Sequence, residues 1–181
     1  MKLLRRTQFG NPILRGKARA LSVQEITSKD IQELLRNMRY TLEHKAYGVG
    51  LAAPQIGESV SIAIIGSKPT PTRPKSPKLN MTIINPKIVK RYDATEPMWE
   101  GCISGPDMYA QVPRYKRIRL QWIDEKGLTH RKDFDGLLAQ IIQHEVDHLN
   151  GVLFVERVTD PKTYVMFSEY RKIRKAELKN K

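Results

Sequence analysis

The chain has one cysteine in 181 residues, Cys102, so no disulfide can form within it. A reducing compartment is the simplest inference, and the plainest role for a free cysteine is that of a small buried apolar side chain. Long apolar runs are missing too, and nothing approaches the roughly 20 residues that a membrane-spanning helix needs. The opening segment, MKLLRRTQFGNPILRGKARA, is basic but lacks the continuous apolar stretch of a secretory signal. The sequence therefore reads as cytoplasmic, and a mature organellar protein would read the same way. Acids are the third scarcity: 19 Asp and Glu against 32 Lys and Arg leave a net charge of +13. That excess favours contact with polyanions and says nothing about fold. It is densest at residues 171–181, where six bases face one acid. A solvated helix face that only aids solubility would have the same composition.

What is present fits a single globular domain spanning residues 1–181, with 40% hydrophobic and 28% charged residues. Thr27 or Ser28 can cap a helix in which Ile31, Leu34, Leu35, Met38 and Leu42 keep the 3.6-residue period, predicting a helix to about Lys45. A glycine-bearing run, GVGLAAPQIG at 48–57, leads into a β-branched strand from Val60 to Ile65. Residues 66–80 hold four prolines and no acid and are expected to form an exposed loop. Met81–Ile84 and Ile88–Tyr92 read as strands around a turn at Asn85-Pro86. Residues 117–123 alternate, with Ile118, Leu120 and Trp122 on one face, before a hairpin turn at Asp124–Gly127. From Gly136 the period returns to 3.6, with Asp135 placed to cap a helix and Gly151 to end it. A last helix is expected from Asp160-Pro161, carrying Tyr164, Phe167, Tyr170 and Ile173 inward. The predicted class is α+β. Short, mostly antiparallel sheets surround a buried central helix, with an N-terminal helix and a basic C-terminal helix over 161–181.

The central helix carries QHEVDHLNG at 143–151. His144 and His148, four apart, project from one helix face toward a common point, with Glu145 beside them. This HExxH pattern points to a metal with a water on it, but such a centre usually takes three protein ligands. One group of metalloenzymes continues as HExxHxxGxxH; here the final position holds Phe154, so that reading fails. A second uses a glutamate roughly 20 residues downstream, which Glu169 could supply. His44, His130 and Cys102 remain, and by spacing alone Cys102 is only the best of several.

Three segments in order, GVGLAAPQ at 48–55, EGCIS at 100–104 and QHEVDHL at 143–149, resemble the signature motifs of the peptide deformylases. Asn85-Pro86, Val112-Pro113-Arg114 and Gly136-Leu137-Leu138-Ala139 extend the match over nearly the whole chain. The resemblance implies a metallohydrolase that removes the formyl group from the N-terminal formylmethionine of newly synthesised polypeptides and releases formate. It makes Cys102, His144 and His148 the metal ligands, with Fe²⁺ in the cell and Zn²⁺, Ni²⁺ or Co²⁺ able to replace it. Glu145 becomes the acid/base for a metal-activated water, and Gln55 and the Ile103 N–H become donors to the carbonyl oxygen. Val49, Met98, Leu137 and Ile141 would wall a methionine pocket, and the Gly50 backbone would pair with the peptide. N-formylmethionyl nascent peptides are then the partners, with ribosome contact through the basic C-terminal helix, no membrane and no sequence-specific nucleic acid.

Ile103 stands where leucine is usual, Gly105 where many members have an aliphatic residue, and Gln140 where an apolar residue or arginine is common. Asp147 is expected to pair with Arg114 rather than touch the metal. Two other readings predict different behaviour. A peptidase using Glu169 as third ligand would keep its metal without Cys102, and a ribosome- or RNA-binding protein with a vestigial site would bind no metal stoichiometrically.

Overall fold

A computed structural model describes residues 1–44, 48–67, 69 and 79–179. The amino-terminal part holds a one-turn helix α1 (Val23–Ile26) and α2 (Lys29–Glu43), and Ser28 caps α2 by accepting from Ile31 N–H. Five strands follow, β1 (Gly50–Ala52), β2 (Ile62–Ser67), β3 (Leu79–Gly101), β4 (Met108–Ile123) and β5 (Thr129–Asp135). They pair antiparallel in sequence order, and a two-residue β6 (Val165–Met166) pairs with β4. Helix α3 (Gly136–Leu149) follows β5, and α4 (Phe167–Lys179) closes the described chain. No helix of the described residues is long and apolar enough to cross a membrane.

The sheet is covered on both faces near β2, which is why Ile62–Ile65 is a continuous apolar run rather than an alternating one. Ile62 and Ile64 pack with Leu35, Met38 and Leu42 of α2, whereas Ala63 and Ile65 turn to the other side. There they join Ile118, Leu120, Trp122 and Phe134 against Ala139, Ile141, Ile142 and Leu149 of α3. Burial of this apolar stripe holds α3 in place at roughly 25 cal/mol per Å² removed from water.

The strands are longer than the sequence pattern implies, 23 residues for β3 and 16 for β4. The Asn85-Pro86 turn is a β-bulge: Asn85 adopts φ 49° and Pro86 has no N–H, so the ladder slips between Ile84 and Lys87 without reversing. Asn85 turns its side chain to the backbone of Leu21, accepting at 3.0 Å and donating at 2.7 Å. Of the expected loop at 66–80, Gly66, Ser67, Leu79 and Asn80 lie in strands, and 68 and 70–78 fall outside the described residues. The C-terminal helix begins at Phe167 rather than Pro161. Asp160 caps only a short 3₁₀ turn, after which Val165 and Met166 take up strand pairing with β4, which a helix there would forfeit. Asp135 occupies the cap position of α3 but makes no capping hydrogen bond, because Gly136 enters the helix at φ 54°.

Gly151 ends α3 at φ 74°, and a Cβ there would press into the carbonyl of Arg15. The same crossing is pinned by Ala18 N–H donating to Leu149 O at 2.9 Å. Gly151→Ala is expected to destabilise the protein by about 2 to 4 kcal/mol, combining left-handed backbone strain with overpacking. A urea midpoint equal to that of the wild type would contradict this.

Candidate metal centre and substrate cleft

Helix α3 presents His144 and His148 one turn apart, their rings 4.8 Å between centroids and nearly perpendicular. Cys102 reaches them from the turn that follows β3, which Gly105 N–H closes on Cys102 O at 3.0 Å. The Cys102 Sγ stands 3.2 Å from His148 Nε2, and the ligand atoms of all three residues lie within 4.8 Å of one another. Among the described residues no other group of three or more His, Cys, Asp and Glu side chains converges in this way. One soft sulfur and two imidazoles form a donor set suited to a thiophilic divalent ion.

The other proposed ligands are engaged elsewhere. Glu169 is exposed on α4 and pairs with Lys172, His130 bonds Asp124, and His44 Nδ1 contacts the carbonyl of Tyr40.

Buried charges orient the two histidine-bearing turns. Arg114 of β4 donates from Nε and Nη2 to the two oxygens of Glu100, at 2.8 and 3.0 Å, and from Nη1 to Asp147 of α3 at 2.6 Å. Glu100 also accepts from His144 Nδ1 at 2.9 Å, which fixes the ring so that Nε2 is the nitrogen left to act as a ligand. Burial by itself would raise the Glu100 carboxyl, but His144 and Arg114 outweigh it and hold it at about 2. Burial likewise opposes ionisation of Cys102, yet His148 and His144 bring the thiol well below its ordinary value. The Ser104 N–H, 3.4 Å from Sγ, favours the same thiolate form. Asp147 is also held by Arg157, so its carboxylate is engaged by two guanidinium groups.

Glu145 adjoins this centre. Its Oε2 is buried without a hydrogen-bond partner among the described residues, and burial raises its carboxyl to about 7. Gly50 makes room for it, because a Cβ at that position would overlap the Glu145 carboxylate. Gln55 is oriented from below: Oε1 accepts from Ala52 N–H at 2.8 Å, which fixes Nε2 toward Cys102 Sγ at 3.4 Å and Ser104 Oγ at 3.3 Å. The Ile103 carbonyl accepts from Arg6, which ties the Cys102 turn to the N-terminal segment. Gly105 leaves space for Phe9, whose ring lies 3.1 Å from where a Cβ would stand.

A cleft of about 410 Å³ opens from this centre. It brings together Val49, Gly50, Gln55, Cys102, Ile103, Leu137, Ile141, His144 and Glu145 from the sequence-derived set. Met98 does not line it. Met98 lies on β3 opposite Val112, and the cleft is walled instead by the next residue, Trp99, whose carbonyl accepts from Gln140 at 2.8 Å. Sequence reasoning also missed Glu100, Tyr109 and Phe167. Glu100 alone left a local signal, an acid two residues before a ligating cysteine in an otherwise basic chain.

Comparison with known proteins places this geometry. Residues 4–164 match the family model described as polypeptide deformylase. The peptide deformylase of Leptospira biflexa is 41% identical over 159 residues, covering 87% of this chain and 88% of that protein. Peptide deformylase 2 of a Nostoc species is 38% identical over 173 residues, 95% of each chain. Among solved structures, a class I type b peptide deformylase from Acinetobacter baumannii bound to Met-Ala-Ser superposes with a TM-score of 0.83. It is 35% identical, over 87% of this chain and 99% of that one. A peptide deformylase from Synechococcus elongatus in complex with actinonin gives a TM-score of 0.76 at 34% identity, over 94% and 85% of the two chains. With a family match over residues 4–164 and relatives near 40% identity over 87% and 95% of its length, the chain belongs to the polypeptide deformylases, a family of hydrolytic enzymes.

Proposed function

We propose that Cys102, His144 and His148 hold one divalent cation, Fe²⁺ in the cell with Zn²⁺, Ni²⁺ or Co²⁺ able to replace it. We propose also that Glu145 moves the proton in hydrolysis of the formyl group from N-formylmethionyl nascent chains in the cytoplasm. The observation that carries this reading is the convergence of a cysteine sulfur and two imidazoles beside a buried carboxylate oxygen that has no hydrogen-bond partner among the described residues. A cation held there supplies Lewis acidity and brings the pKa of a coordinated water toward neutrality.

The chain's own groups do the rest. Glu145, raised to about 7, accepts a proton from the attacking water near neutral pH and passes it to the departing amine. The water oxygen bonds to the formyl carbon, the carbon–nitrogen bond breaks, and formate leaves. Gln55 Nε2 and the Ile103 N–H donate to the formyl oxygen as it gains charge, contacts typically worth about 3 to 4 kcal/mol each in the transition state. Val49, Leu137 and Ile141 take the methionine side chain, and the Gly50 backbone pairs with the peptide. The formyl carbon bears only hydrogen, so a close-walled site rejects an acetyl group on steric grounds.

On α4, Arg171, Lys172, Lys175 and Lys179 are exposed, and they make a polycationic surface suited to ribosomal RNA. Contact through it would loosen with salt as counterions return to the phosphates.

Formate release from formyl-Met-Ala-Ser by Fe²⁺-loaded protein, prepared without oxygen because an iron thiolate oxidises, tests the chemistry. Release is expected from the formyl but not the acetyl peptide. Glu145→Gln is expected to lower kcat by about 10²- to 10⁴-fold with metal content unchanged, and release undiminished in that variant would refute the role of Glu145. Deleting residues 171–181 is expected to abolish co-sedimentation with ribosomes at low salt. Co-sedimentation equal to that of the full chain would refute the docking role.

A further inference from the structure

The buried side of α2 carries two polar residues one turn apart, Asn37 at 4% and Thr41 at 1% exposure. Both are engaged by the first residues of the chain. Asn37 Oδ1 accepts from Lys2 N–H at 2.9 Å. Thr41 Oγ1 accepts from Leu4 N–H at 2.9 Å, while its own hydroxyl donates to Asn37 O at 2.7 Å. The Leu4 side chain packs against the cluster that holds Leu35, Met38 and Leu42. Donation from alternate residues is the habit of an extended chain, and it recurs further on. Thr7 N–H donates to Gln55 O at 2.8 Å and Phe9 N–H to Ser104 O at 2.9 Å. The segment is thus fastened at one end to a helix outside the cleft and at the other to the two turns that carry Gln55 and Ile103.

Side chains add to this tie. Thr7 Oγ1 donates to Pro54 O at 2.8 Å, and Arg6 Nη1 to Ile103 O at 2.9 Å. The carbonyls of Cys102, Ile103 and Ser104 accept in turn from Gly105 N–H, Arg6 and Phe9 N–H. The Cys102 carbonyl shares its peptide plane with the Ile103 N–H, so fixing these units aims that N–H. Among the described residues, the hydrogen bonds made directly between the two turns both start from Gln55 Nε2, to Ser104 Oγ and to Cys102 Sγ. That is the group that has to donate to the formyl oxygen, so those bonds cannot set the spacing of the turns while it is in use. The bonds of the N-terminal segment come from atoms that stay out of the chemistry.

We propose that residues 2–9 form a positioning strap that sets the separation of the two donors to the formyl oxygen, Gln55 Nε2 and the Ile103 N–H. Thr7 and Arg6 are its positioning residues, and Asn37 and Thr41 are its anchor. The proposal deepens the deformylase reading and rests on it and on the donor roles assigned there. Two donors stabilise a developing oxyanion only when both meet it at hydrogen-bond distance, and such a site gains its rate from holding the pair ready beforehand. The strap therefore acts on turnover rather than on metal binding or capture of the peptide.

The test reads kcat and KM for formyl-Met-Ala-Ser on the Fe²⁺-loaded full chain. Thr7→Val loses the hydroxyl bond to Pro54 O and keeps the backbone bond to Gln55 O. It is expected to lower kcat about tenfold, part of the roughly 10²-fold that losing one oxyanion donor costs, with KM and metal content unchanged. Thr41→Val, on α2 and outside the cleft, is expected to act in the same direction. Thr7→Ser and Thr41→Ser keep the hydroxyls and are expected to retain the wild-type kcat. Gln55→Leu removes the donor itself. Adding Thr7→Val to it is expected to lower kcat no further, since changes that act through one contact are not additive. An unchanged kcat in Thr7→Val or Thr41→Val, an equal loss in Thr7→Ser, or a loss that multiplies in full on that of Gln55→Leu would overturn the strap. Undiminished turnover in Gln55→Leu would overturn the donor role, and no formate release by the wild type would overturn the deformylase reading; either result removes the strap's task with it.

Discussion

The guanidinium of Arg114 is the tie on which the site's geometry depends. It joins Glu100 at the end of β3 to Asp147 on α3, and both carboxylates are buried with it. A buried ion group of this kind is weak evidence for stability, since desolvation offsets most of the attraction. Its consequence is positional. Glu100 is held so that it can take the Nδ1–H of His144, and the element that carries Glu100 is the one that delivers Cys102 two residues later. Removing the guanidinium would leave the buried Glu100 and Asp147 carboxylates with only His144 and Arg157 as partners, and breaking a buried ion pair typically costs about 3 to 5 kcal/mol. Placement of a hairpin on a helix thus becomes placement of a sulfur on two imidazoles.

Close approach of backbone to side chain is the second constraint. Gly50 gives up its side chain to the Glu145 carboxylate and Gly101 to the Tyr109 ring. At each position the missing Cβ admits a side chain, the carboxylate proposed to move the proton at one and a wall of the cleft at the other. Gln143 makes a comparable contribution through hydrogen bonds. It brackets Tyr115, accepting from its N–H at 3.1 Å and donating to its carbonyl at 2.8 Å, so α3 is fastened to β4 beside the Arg114 tie.

Local patterns carried much of this into the sequence. The histidine pair is legible because a helix repeats every 3.6 residues, and α2 was legible for the same reason, ending at Glu43 where the period predicts about Lys45. Ile118, Leu120 and Trp122 alternate in the sequence and are buried on one face of β4. Contacts between distant segments were not legible from periodicity. Cys102 stood among several candidates until the order of three motifs was compared with a family, and Glu100 had no assigned partner. Met98, named from its position in the family resemblance, is not among the residues lining the cleft, where its neighbour Trp99 stands instead. The inward aromatics of the last helix were read as core, and the surface they meet includes the cleft wall.

Electronic absorption of the Co²⁺-loaded protein tests the central claim, that one thiolate and two imidazoles from this hairpin and helix share a metal. The account predicts a thiolate-to-cobalt charge-transfer band at one equivalent of metal, lost in Cys102→Ser and retained in Glu169→Ala. A band unchanged in Cys102→Ser, or metal binding that depends on Glu169, would contradict it.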